Sequence, residues 1–127
     1  MSVEVTEAKQ PRVSQADRRP AMDLEIALCR VGGDVDLLKE IAEIFMDDYP
    51  KTLAALEIAV ANGDLEELER CAHGLKGAVA NFGAQEAFTA AQTLESLGHA
   101  KQLNGASEVL NSLATSLSAL RVELQEL

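Results

Sequence analysis

The chain has 127 residues, 47% of them hydrophobic, with three Phe, one Tyr and no Trp. That length suits one domain with a real core and excludes two large ones. Net charge is −10, and because Lys9, Arg12, Arg18 and Arg19 outweigh Glu4, Glu7 and Asp17 by one, residues 21–127 carry −11. A body so acidic is repelled by phosphate backbones and anionic lipid, which argues against nucleic acid and membranes as partners.

A core drawn from Leu, Ala, Ile and Val suits helices packed on helices, and β-branched residues form no alternating runs. The expected class is all-α. Cys29 and Cys71 stand 42 positions apart without a Cys-x-x-Cys pairing, which fits a reduced, cytosolic setting better than a disulfide framework. The first residues lack a basic stretch followed by an apolar one, so no secretory signal is expected. No run approaches the roughly 18 apolar residues of a membrane span.

Residues 1–20 mix charge, Ser, Gln and two prolines without periodicity and read as a flexible tail or linker, leaving residues 21–127 as the domain. Asp23 caps a short helix, Leu24 to Arg30, that stops at Gly32-Gly33. Asp34 caps the next, with Leu37, Leu38, Ile41, Ile44 and Phe45 as its buried stripe. Pro50 cannot donate a backbone hydrogen bond, so this helix is expected to kink or restart there before Leu53, Leu56, Ala59 and Val60 resume the stripe. Asn62-Gly63 ends it.

Asp64 caps a third helix with inner residues Leu65, Leu68, Ala72, Leu75, Val79 and Phe82. Gly83 reverses the chain, and Ala84, Ala87, Phe88, Ala91 and Leu94 form the next stripe. A polar connection follows Gly98, with His99 expected in that loop as an ordinary surface residue. Val109, Leu110, Leu113, Leu117, Leu120 and Leu124 line the last helix. Four amphipathic helices with short connections predict an up-and-down four-helix bundle, the short N-terminal helix covering one end.

The segment from Ala72 to Gly83 is the most informative. At helical spacing His73, Lys76, Gly77 and Ala80 form one stripe, and Glu69 and Arg70 extend it back by a turn as a docking surface. The core stripe runs alongside, which puts His73 at the solvent edge. Gly74 and Gly77 each cost roughly 1 kcal/mol relative to Ala inside a helix. A glycine one turn after a histidine clears space for something to approach the ring. The Lys76 ammonium opposes a second positive charge nearby and favours an anionic adduct on the ring. If Gly83 is the corner of a hairpin, the residue across from His73 lies near position 93, so Glu95 or Gln92 is placed to bond one ring nitrogen. The Glu66-Glu67-Glu69 cluster reads as a complement to the helix dipole, and the two histidines lack the spacing of a zinc site.

The pattern His73-x-Leu75-Lys76-Gly77, followed by Gly83-Ala84, resembles the signature of the histidine-containing phosphotransfer (HPt) family. Gly32-Gly33-Asp34, Phe45, Pro50 and Leu94-Glu95 agree with it in order and spacing, over roughly residues 22–127. The resemblance implies a phosphorelay carrier of two-component signal transduction. Its histidine, here His73, takes a phosphoryl group from a receiver-domain aspartate and passes it to another receiver, with Lys76 and Gly77 beside it. It implies no nucleotide site and no cofactor on this chain, Mg²⁺ belonging to the receiver. The implied partners are response-regulator receiver domains or a hybrid histidine kinase, met by a monomer in the cytoplasm. Two other readings compete: a helical adaptor that is never phosphorylated, and a hydrolase using the His-Lys pair, which needs a substrate pocket.

Overall fold

The computed structural model describes residues 20–127. Apart from Pro20, the tail expected over residues 1–20 lies outside the described residues. Five helices follow: α1 (Leu24–Arg30), α2 (Val35–Asn62), α3 (Leu65–Ala80), α4 (Gln85–His99) and α5 (Ala106–Gln125). Helix α3 packs against α2 and α4, α4 against α5, and α5 back against α2, which closes an up-and-down four-helix bundle. The expected caps form. Asp23, Asp34 and Asp64 each accept the backbone N–H three residues on, at Ile26, Leu37 and Glu67 (3.2, 3.1 and 3.2 Å).

Leu68, Ala72, Leu75 and Val79 of α3 meet Ala87, Ala91 and Leu94 of α4 and Leu113, Leu117 and Leu120 of α5 in the core. Each buried Leu contributes on the order of 1.5–3 kcal/mol. Among the described residues no polar or charged side chain is buried, so the chemistry of the molecule is confined to its surface. The stripe expected on α2 needs correction. Leu37 and Ile44 are 40% and 62% exposed, and the buried line runs through the expected Leu38 and Phe45 together with Ala42 and Tyr49. Counting Ala42 and Tyr49 as core turns that line away from Leu37 and Ile44, which fall on a flank.

Gly83 sits at the corner between α3 and α4 with φ +60°, and a Cβ there would meet Asp23 Cβ at 2.7 Å. The bare corner lets α1 lie across this end, where Asp23 N–H donates to the Phe82 carbonyl at 2.9 Å. Glu123 of α5 accepts the N–H groups of Ala21 and Met22, the latter at 2.8 Å. The chain entering α1 is thereby tied to the last helix.

The restart expected at Pro50 does not occur, for α2 runs unbroken through it. Pro50 is exposed, so its ring faces solvent. Its missing N–H leaves the carbonyl of Met46, four residues back, without a helical donor. Arg121 of α5 supplies one, Nη1 donating to that carbonyl at 3.3 Å while the guanidinium lies 5.9 Å from the Tyr49 ring centre. Arg121→Met should cost about 1 kcal/mol in urea unfolding. In a Pro50→Ala background, where the backbone satisfies Met46 itself, most of that cost should vanish. Equal costs in both backgrounds would show that Arg121 does not serve the Met46 carbonyl.

Candidate functional site

Helix α3 needs Leu68, Ala72, Leu75 and Val79 facing inward, and that periodicity turns His73 and Lys76 toward the seam with α4 and leaves Gly77 on the exposed face. The His73 side chain is 69% exposed. Its Nδ1 lies 2.6 Å from Glu95 Oε2, and the Lys76 ammonium lies 2.6 Å from Glu95 Oε1. One carboxylate from α4 therefore joins two side chains of α3. Its acidity is raised: the hydrogen bond from Lys76 is the main cause holding the Glu95 carboxyl below its ordinary range, with the His73 hydrogen bond assisting against partial burial. An ionised carboxylate can only accept, so Nδ1 carries the proton and donates. In the neutral ring the lone pair then sits on Nε2, the nitrogen that Glu95 does not hold.

The sequence-predicted residues are brought together in part. His73, Lys76 and Glu95 form one cluster, and Gly77 lies exposed one turn after His73. Gln92 is exposed and makes no hydrogen bond to the ring, because Glu95 occupies that position one turn along. Lys76 differs from a free surface cation: it is only 23% exposed and pairs with Glu95, so its charge reaches the ring through a carboxylate that offsets it. Of the expected docking residues, Arg70 makes a paired contact with Glu67 (2.9 and 2.6 Å), and Glu69 pairs with His99. Ala80 is half-buried in a cleft with Ile26, Arg30 and Phe88 near the α3–α4 corner. A Cβ built on Gly74 or Gly77 meets nothing within 4 Å, so neither glycine is required by helix packing.

Two neighbours of the site escaped the sequence reading. His99 is not in a loop but in the last turn of α4, where its Nδ1 lies 3.1 Å from Glu69 Oε2. Gly98 is buried inside α4 against the backbone of α3. Its signal was present: Ala87, Ala91, Leu94 and Gly98 continue one inner stripe at 3-4 spacing. Cys71 is buried beside Glu67, its thiol pushed up chiefly by burial, while Cys29 is exposed, and both are free. Among the described residues no three His, Cys, Asp or Glu side chains gather where a metal ion fits. No helix among them is long and apolar enough to cross a membrane.

The Hpt domain family model matches residues 40–123, which include His73, Lys76, Gly77 and Glu95. The chain belongs to the Hpt domain family. Its fold is similar to that of histidine-containing phosphotransfer protein B (HptB) from Pseudomonas aeruginosa PAO1, with a TM-score of 0.79 and 21% identity over 86% of this chain and 95% of that one. It is also similar to the HPT domain of the Hpt sensor hybrid histidine kinase from Shewanella, with a TM-score of 0.74 and 17% identity over 84% and 92%. No curated relative matches. Membership of the Hpt family gives the chain a carrier role in two-component phosphorelay signalling.

The lowered Glu95 pKa has a consequence for stability. A depressed carboxyl stabilises the fold above its ordinary value of 4.5, and the contribution is lost as pH falls through the depressed value. Glu95→Gln should therefore melt a few degrees below the parent at pH 7, with the gap closing on acidification below pH 4.5. A gap that persists at low pH would assign it to packing instead of charge.

Proposed function

We propose that His73 is the phosphoacceptor of a phosphorelay, taking a phosphoryl group from a receiver-domain aspartate and passing it to a second receiver. The observation that carries this reading is the 2.6 Å contact between His73 Nδ1 and Glu95, which leaves Nε2 free on a largely exposed ring. The Nε2 lone pair attacks phosphorus, and the phosphorus–oxygen bond to the aspartate breaks, returning that carboxylate to the donor. The ring becomes cationic as the nitrogen–phosphorus bond forms, and the Glu95 carboxylate stabilises it through Nδ1–H. Lys76 keeps Glu95 ionised for that task. The next receiver reverses the step with its own aspartate. Mg²⁺ belongs to the receiver in this scheme, and the carrier works as a cytoplasmic monomer, with receiver domains or a hybrid histidine kinase as partners.

A hydrolase needs a pocket that encloses its substrate, whereas this histidine stands exposed on the outer surface of a bundle whose interior is apolar. A receiver brings the rest of the site with it, so exposure suits a carrier.

His73→Gln should keep the helical circular dichroism of the parent and lose all label from a phosphorylated receiver. Undiminished labelling would sink the assignment. Binding of the receiver with no label on the parent protein would point to the adaptor reading.

Gly77 lies one turn from His73 with open space where a side chain would stand. Gly77→Gln should gain up to about 1 kcal/mol in thermal unfolding from helix propensity, yet transfer more slowly because its side chain projects into the receiver's path. Intact transfer with raised stability would mean that the receiver does not approach over Gly77.

A further inference from the structure

We infer that Gly98 is a positioning residue for His73: its missing side chain lets α4 come close enough to α3 for Glu95 to hold the ring. The inference rests on the proposal that His73 carries the phosphoryl group. A Cβ at Gly98 would lie 2.8 Å from Glu69 N, 2.9 Å from the Leu65 carbonyl oxygen and 3.0 Å from Glu69 Cα. All three are backbone atoms of α3, so none can rotate away. A methyl group there would have to drive the helices apart by roughly half an ångström to reach ordinary contact.

The contact point lies one helical turn from the site on both helices. Glu95 stands three residues before Gly98 on α4, and His73 stands four residues after Glu69 on α3. Both partners of the Glu95 carboxylate, His73 and Lys76, belong to α3. A retreat of α4 therefore stretches both contacts at once, carrying them toward the limit of hydrogen bonding at about 3.2 Å. Gly74 and Gly77 face open space, so among the glycines of α3 and α4 Gly98 alone sets helix separation. The expected chemical result is a ring freed to exchange its proton between the two nitrogens, with Nε2 no longer reserved as the nucleophile.

The test compares the parent with Gly98→Ala and Glu95→Asp, the latter withdrawing the carboxylate by one methylene from an intact seam. The measurements are the ¹⁵N shifts of the His73 ring and single-turnover phosphoryl transfer from a phosphorylated receiver. In folded Gly98→Ala the ring nitrogens should move from the Nδ1–H pattern toward mixed tautomers. The maximal transfer rate should fall on the order of ten- to a hundredfold, while the receiver concentration for half-maximal rate changes little. Glu95→Asp should reproduce both changes. Parental ring shifts in folded Gly98→Ala would overturn the inference. If Gly98→Ala does not fold, parental shifts and rate in Glu95→Asp would overturn it, since close approach would then not matter to the ring. Failure of the parent to accept phosphoryl would instead strike the proposed function, and the ring shifts would still report whether Gly98 sets the Glu95 contact.

Discussion

The Glu95 carboxylate is shared between His73 Nδ1 and the Lys76 ammonium, both at 2.6 Å, and it reaches them from the opposite helix. That sharing couples three properties that a loose surface histidine lacks. The lysine keeps the carboxylate ionised, the ionised carboxylate fixes the proton on Nδ1, and the fixed proton leaves Nε2 nucleophilic. It works only while α3 and α4 stay close. The small residues on the inner face of α4, Ala87, Ala90, Ala91 and Gly98, permit that closeness, since interaxial distance follows the side chains at the contact.

The stability of the bundle and the readiness of the site come from different residues. Leu, Ala and Val on the inner faces hold the helices together, and among the described residues no polar side chain enters that core. The surface beside His73 is less than optimal for a helix. Gly74 and Gly77 forgo about 1 kcal/mol each relative to Ala, and a Cβ would meet nothing at either position. Nothing within the described molecule fills that space. In the proposed role the space belongs to the incoming receiver, and core burial offsets the loss.

Much of this was legible from residue spacing. Three Asp caps, the 3-4 stripes and the turn at Gly83 located the five helices of the described residues, and the stripe through His73 placed its ring at the solvent edge. Counting back and forward from Gly83 selected Glu95 as one of two partners across the hairpin. Spacing alone did not choose between Gln92 and Glu95, because that choice depends on the rotation of α4 about its axis. The restart expected at Pro50 is absent for a tertiary reason: a guanidinium seventy-one residues further along satisfies the carbonyl that proline leaves bare. Leu37 and Ile44 misled because a stripe drawn through large aliphatics ignored Ala42 and Tyr49, which are buried together with the expected Leu38 and Phe45. The role of Gly98 was hidden because glycine near a helix end usually reads as a stop signal, whereas here α4 continues through it.

The second histidine tests how much a carboxylate partner alone confers. Glu69 and His99 pair across the same seam, one turn from His73 and Glu95, with the donor and acceptor helices exchanged. Both rings are largely exposed and both present Nδ1 to a glutamate. The pairs differ in what surrounds the carboxylate. Glu95 is 20% exposed and braced by Lys76, while Glu69 is 38% exposed and, among the described residues, has no lysine or arginine bridging to it. The contact lengths follow, 2.6 Å against 3.1 Å. His99 also stands in the final turn of its helix, without a bare helical face such as Gly74 and Gly77 leave beside His73. A histidine bonded to a carboxylate is therefore common ground between the two positions. What singles out His73 is the lysine that fixes its partner and the empty surface through which another protein can reach Nε2.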